Sequence, residues 1–324
     1  MKKILILLTI TMLLAACSSD SDPAVTNDGR RVPLQVTGYI AYTPLGITRA
    51  HDTSWEADDK IGLYALPHDN TETPIEDGSN VCYLSGSPGE TYDDGNYSYK
   101  PFTTTTPIIL SSKDAIDVYS YYPYSAKKKD GTTYLDPKAI EIDVSTQNQK
   151  SIDLMTTGKV EYTTYEGNTR INCDNPMCQL RFQHRLTKLV FNLDLSEMGT
   201  IGEIELTIGS QRTTATYDIY HSELSCTGDA NKTVSAVETE TDGYNKTFEA
   251  IVLPNNASSN PAIDRTVSIV VDKRSYTFTI AASGVDSSNK VVTSSFTSGN
   301  KYVYNVKVYP FTIEVNPQNY TEQW

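Results

Sequence analysis

Leu34-Gln35-Val36-Thr37-Gly38-Tyr39-Ile40 alternates: Leu34, Val36, Gly38 and Ile40 fall on one face, Gln35, Thr37 and Tyr39 on the other. Side chains of extended backbone point to opposite faces in turn, so this period of two predicts a half-buried β-strand. The pattern recurs outward from here. Residues 61–65, 117–122 (stopped at Pro123), 180–195, 201–208, 213–220, 247–253, 266–271, 275–281 and 302–308 each read as a strand, with Gly, Asn, Asp and Pro between them. Beyond the first 16 residues no stretch sustains a helical period. Short strands at such spacing predict an all-β protein of β-sandwiches, each built from two packed antiparallel sheets. Its 22 Tyr suit a pleated, half-exposed surface.

A chain of 324 residues is enough for about two domains of ordinary size. The boundary is expected at 172–179, where Asp174-Asn175-Pro176 interrupts the pattern, giving an N-terminal sandwich over 31–176 and a C-terminal one over 177–324. Residues 67–99, rich in Gly, Asp, Ser and Pro, read as a long loop. With 27 Lys+Arg against 40 Asp+Glu, the net charge is -13. An acidic surface repels phosphate, which excludes a nucleic-acid partner. The 38% hydrophobic content excludes wholesale disorder.

Lys2 and Lys3 followed by an apolar run read as a secretory signal over 1–16, too short to span a bilayer. It ends in Leu14-Ala15-Ala16-Cys17, which resembles the lipobox of bacterial lipoproteins. That resemblance implies acylation of Cys17 and attachment to the outer membrane through lipid, on a polar, acidic tether over 17–30. Four cysteines remain. In an oxidising compartment Cys173 and Cys178, either side of the Asp-Asn-Pro turn, form a bridge or stay as free thiols; they lack the paired short spacing of a structural zinc site.

No hydrolase, metalloprotease, phosphate-loop or dinucleotide motif is present, and the sequence calls for no metal, no cofactor and no catalytic residue. His51, His68, His184 and His221 stand in unrelated contexts, and His184 reads as a structural residue in a strand. Asp93-Asp94-Gly95-Asn96 reads as a tight hairpin turn rather than a calcium loop. An alternative class is a surface glycan-binding lipoprotein, with Tyr92, Tyr97 and Tyr99 stacking on sugars.

Several segments, in order, resemble one family: Leu14-Ala15-Ala16-Cys17, Ile47-Thr48-Arg49-Ala50, Trp55-Glu56-Ala57-Asp58-Asp59-Lys60-Ile61-Gly62-Leu63-Tyr64, Tyr119-Ser120-Tyr121-Tyr122-Pro123-Tyr124, Ser151-Ile152-Asp153-Leu154-Met155 and Leu180-Arg181-Phe182-Gln183-His184-Arg185-Leu186-Thr187-Lys188-Leu189. They are similar to the fimbrillins of Bacteroidota type V pili, including the Mfa1-like members. The resemblance implies a structural, adhesive pilus subunit of two transthyretin-like sandwiches, exported as a lipoprotein to the cell surface. Its partners would be an Arg-specific protease and other pilus subunits. In that family the protease cuts after an Arg, here between Arg49 and Ala50, and removes a first strand, here 31–49 with Leu34, Val36 and Ile40. A neighbour's C-terminal strand fills the vacated groove; here the donor is 311–324, with Phe311, Ile313 and Val315 alternating. On spacing alone both segments read as ordinary edge strands. Arg30-Arg31 is a rival site, but cutting there would leave the first strand attached.

Overall fold

In a computed structural model, the structure describes residues 30–41, 54–70, 72–86, 92–93, 98–127, 131, 135–163, 169–199, 201–255, 260–261, 263–280, 296–317 and 322–323. Among them the regular secondary structure is nearly all strand, the one helix being the four residues Gln149–Ile152. The sequence runs named above fall on strands: Gln35–Ile40, Lys60–Pro67, Ile116–Tyr122, Ile204–Gln211, Thr214–Asp218, Asn245–Val252, Arg265–Val271, Arg274–Ile280 and Asn300–Val308.

The first unit is a ring. Gln35–Ile40, Met177–His184, Met155–Thr156, Ile116–Tyr122, Lys60–Pro67, Val81–Ser85 and Ser98–Thr103 pair in that order, and the last pairs back onto the first. We call Gln35–Ile40 the closing strand. Inside lie Leu34, Val36, Ile61, Leu63, Tyr83, Phe102, Leu180 and Phe182. The second unit faces a six-stranded sheet, which includes Asn245–Val252, Thr187–Asp194, Asn300–Val308 and Ile313–Pro317, with a four-stranded one built on Ile204–Gln211 and Arg265–Val271. Leu189, Phe191 and Leu193 from one sheet meet Leu206, Ile208, Val267 and Ile269 from the other.

A third core joins the two units. Tyr64, Tyr119, Tyr121 and Ile142 of the first half pack with Leu186, Tyr217, Tyr220 and Ile251 of the second. The strand Ile140–Asp143 pairs with Thr214–Asp218 across the junction. Many of the tyrosines are core residues, while Tyr162 and Tyr244 stay on the surface. Tyr64, Tyr83, Tyr119 and Tyr121 are fully buried, and burial raises the Tyr83 hydroxyl to about 12.

Four expectations change. Met177–His184 belongs to the first ring, so the Asp-Asn-Pro segment is a turn within that unit, closed by the bridge between Asn172 and Asn175, and not the domain boundary. The run 180–195 breaks at Arg185-Leu186 into two strands of different sheets. The stretch 67–99 holds the strand Val81–Ser85, because Tyr83 and Ser85 supply inward faces to the ring. The sheets are mixed: Gln35–Ile40 runs parallel to Met177–His184, and Thr187–Asp194 parallel to Asn300–Val308. Such pairs join segments far apart in sequence, since parallel strands need a crossover.

Gly62 seats a ring of this core. A Cβ there would stand 2.1 Å from Tyr121 Cε1, and Tyr121 is held by its hydroxyl, 2.7 Å from Asn80 Oδ1. Gly62→Ala should therefore destabilise the fold by about 3 kcal/mol, the upper part of ordinary overpacking costs, measurable as a lower denaturation midpoint at unchanged m.

Candidate functional site

The closing strand is held on both sides. Val36, Gly38 and Ile40 stand in register with Cys178, Leu180 and Phe182 of the parallel neighbour. Val36 and Gly38 also pair with Phe102 and Lys100 of the antiparallel one. Backbone bonds continue past its ends, from the Leu34 amide to the Ile108 carbonyl (2.9 Å) and from the Ala41 amide to the Phe182 carbonyl (2.8 Å). Leu34, Val36 and Ile40 are 3%, 3% and 5% exposed. Burying three such side chains is worth roughly 5–9 kcal/mol before the ordering of the strand is offset.

Trp55 lies over the same core. Its ring meets Phe102 at 5.2 Å and Phe182 at 4.9 Å, both edge-on, so it joins the two strands that flank the closing strand. Lifting out Gln35–Ile40 would leave two facing edges, Ser98–Thr103 and Met177–His184, above a floor of Trp55, Phe102, Leu180 and Phe182. Unpaired edges over an apolar floor are a template for another strand. Sequence reasoning found the closing strand but not its walls. Val36→Asp, which sets an unpaired carboxylate in this core, should cost about 4 kcal/mol or more; Gln35→Asp, on the exposed face, should stay within about 0.5 kcal/mol in the same denaturant titration.

The C-terminal segment is held quite differently. Among the described residues Ile313–Pro317 is an end strand of the six-stranded sheet, bonded on one side, to Asn300–Val308. Ile313 and Val315 are half-buried against the second core. Phe311, in the turn between the two strands, is 95% exposed.

Residues 48–324 match the family described as fimbrillin-like. The chain belongs to that family. It is also 29% identical over 328 residues to Fim1C of Bacteroides uniformis, named as a candidate fimbrium subunit, an alignment spanning 98% of this chain and 93% of the other. Two crystal structures of candidate cell adhesion proteins share the fold. One, from Bacteroides uniformis, has a TM-score of 0.63 at 24% identity, covering 94% of this chain and 100% of that one. The other, from Bacteroides ovatus, has a TM-score of 0.65 at 17% identity, covering 91% and 98%.

Within this fimbrillin-like chain the remaining sequence candidates distribute as follows. Cys17, Arg49 and Ala50 lie outside the described residues, as does Tyr97. Arg30 is exposed and pairs with Asp174 at 2.8 Å. Tyr99, a proposed sugar platform, is 6% exposed and meets Tyr39 edge-on at 4.9 Å, so it offers no face to a glycan. His184 is buried, its Nδ1 2.9 Å from the Asp153 carboxylate, as suits a structural residue.

Cys173 and Cys178 are free thiols, so the candidate bridge is not formed. Cys178 stands in the strand register opposite Val36, and both cysteines belong to the first core. Burial pushes the Cys178 thiol well above its ordinary range. Cys178 should resist a maleimide in the intact protein and become labelled when the closing strand is withdrawn, which mass spectrometry of the labelled peptide would show.

One cluster gave no sequence signal. His68, Asp69, Asp117 and Glu161 converge, with ligand-type atoms within 4.8 Å of one another. Lys159 already answers their charge, at 3.0 Å from Asp69, 3.6 Å from the buried Asp117, and in contact with Glu161. The group is an ion network that pins the strand start at Ile116 to the segment 159–161.

Proposed function

We propose that this fimbrillin-like chain is a pilus subunit, exported as a lipoprotein to the cell surface and assembled by protease-triggered donor-strand exchange. The observation that supports it is the closing strand: one removable stave, bonded on both sides and filling the first core, whose loss opens a groove. Cys17 carries the lipid and Arg49-Ala50 is the processing bond. Both the lipid and the strand lie on the N-terminal side of that bond, so one cut frees the body from its anchor and its plug together. The family match begins at residue 48, just beyond the strand.

The direction of exchange follows from how the two segments are held. Within the donor segment 311–324, the strand Ile313–Pro317 is bonded to Asn300–Val308, Ile313 and Val315 are half-covered and Phe311 is exposed, so peeling it off costs little. In a neighbour's groove Phe311, Ile313 and Val315 would gain full burial and a second hydrogen-bonded edge. Head-to-tail insertion is heterologous and does not close on itself, so it makes a filament.

The test is mild digestion of the lipid-free precursor with an Arg-specific protease, followed by N-terminal sequencing. The expected result is one new terminus at Ala50 and a strand-bearing fragment that stays bound until a donor strand displaces it. A chain resistant at Arg49, or cut there yet never able to yield its strand, would overturn the reading.

A further inference from the structure

At the middle of the closing strand the ring draws in so closely that even a Cβ would crowd its neighbours. Gly38 pairs with Leu180 on one side and Lys100 on the other. A Cβ at Gly38 would stand 3.1 Å from Phe102 Cε2, 3.2 Å from Leu180 Cβ and 3.3 Å from the Leu180 carbonyl oxygen. Neither neighbour has room to withdraw. Leu180 is fully buried, and two of the contacts are to its backbone or first side-chain atom, so relief would mean moving the strand itself. Phe102 is buried and braced by Trp55 at 5.2 Å. Two residues to either side, Val36 and Ile40 fill ordinary apolar sockets in the same core. On its inner face the groove therefore reads an apolar residue, a glycine and another apolar residue at alternate positions, 36, 38 and 40.

We propose that this groove selects a donor strand carrying glycine at the place of Gly38, and that the donor comes from a different subunit and not from a second copy of this chain. The inference rests on the strand-exchange reading and makes it specific. From Asn300 to the C-terminus the sequence contains neither glycine nor alanine. In every register, and in either direction, a strand from 311–324 that closes the ring places Val, Ile, Pro, Thr or a larger residue against Phe102 and Leu180. Its own C-terminus thus suits another groove, and its own groove awaits another C-terminus. A groove that rejects its own donor gives an ordered heteropolymer and keeps freshly cut copies from polymerising among themselves.

The experiment uses the lipid-free chain cut after Arg49, incubated with an excess of one fluorescent peptide: the sequence of residues 33–42, the same peptide with Gly38→Val, or the sequence of residues 311–324. The 33–42 peptide should exchange in. The Gly38→Val peptide should bind about 30-fold more weakly or worse, and the 311–324 peptide should not compete measurably. Binding of either within about threefold of the 33–42 peptide would overturn the proposal while leaving strand exchange intact. Failure of the 33–42 peptide itself would overturn strand exchange, and this inference with it. In the uncut chain Gly38→Val should lower the melting temperature well beyond Gly38→Ala; equal melting temperatures for native, Gly38→Ala and Gly38→Val would also overturn it.

Discussion

Arg49→Ala should leave the protein on the membrane as a closed monomer, absent from surface fibres, with its stability unchanged. The argument is one of effective concentration. While the chain is intact, a closing strand that frays open remains joined to the body by the short link between Ala41 and Ser54. A short covalent tether holds its segment at about millimolar effective concentration. A donor strand present at about micromolar concentration then competes at a disadvantage of roughly a thousandfold, whatever its fit. Cutting at Arg49 removes that advantage, because a strand that leaves can diffuse away. Exchange into the variant should accordingly fall by about three orders of magnitude. It is measured as incorporation of labelled subunit into fibres in the producing bacterium, with lipid labelling to show that the anchor is retained. Normal fibres from Arg49→Ala would refute the processing site and direct attention to Arg30-Arg31.

What the sequence shows of this molecule is what has a local period. The closing strand is legible because Leu34, Val36 and Ile40 must face one core, and no other spacing puts them there. Its neighbours are not legible in the same way. Ser98–Thr103 carries Pro101 in mid-strand, which by pattern argues against a strand; in the ring Pro101 pairs with Thr37. Met177–His184 is the parallel partner and follows far along the chain, beyond a turn that has the composition of a domain linker. The break at Arg185-Leu186 is hidden because both halves are apolar, and only the third core shows why: Leu186 packs with residues from both units. The His68, Asp117 and Glu161 network is invisible for the same reason, being assembled from three separate segments. The glycine at 38 stands plainly in the sequence as one member of an alternating set; its meaning depends on Phe102 and Leu180, which only the folded ring brings to it.

Deleting residues 311–324 should abolish donation and leave the groove able to receive. The cost to the fold is small by the same structural count. Among the described residues the deletion removes the end strand Ile313–Pro317, the short pairing of Glu322–Gln323 with Asn300 and Lys301, and two half-buried side chains, Ile313 and Val315. That is about 1–3 kcal/mol of apolar burial, a loss that a chain with three cores tolerates. The truncated subunit should fold, be cut at Arg49, and take up the 33–42 peptide as the full chain does. It should then cap a fibre instead of extending it, so that electron microscopy of cells producing it shows short or absent filaments. Phe311 separates donation from folding more sharply. At 95% exposed it contributes almost nothing to its own subunit, so Phe311→Ser should leave the melting temperature unchanged. A phenyl ring that becomes buried only after insertion is worth about 2–3 kcal/mol to the complex, so the same substitution should weaken donation by about 30-fold or more. Fibres of normal length from the deletion would show that the C-terminus is a static edge strand. Unchanged donation by Phe311→Ser would show that the inserted segment begins after residue 311.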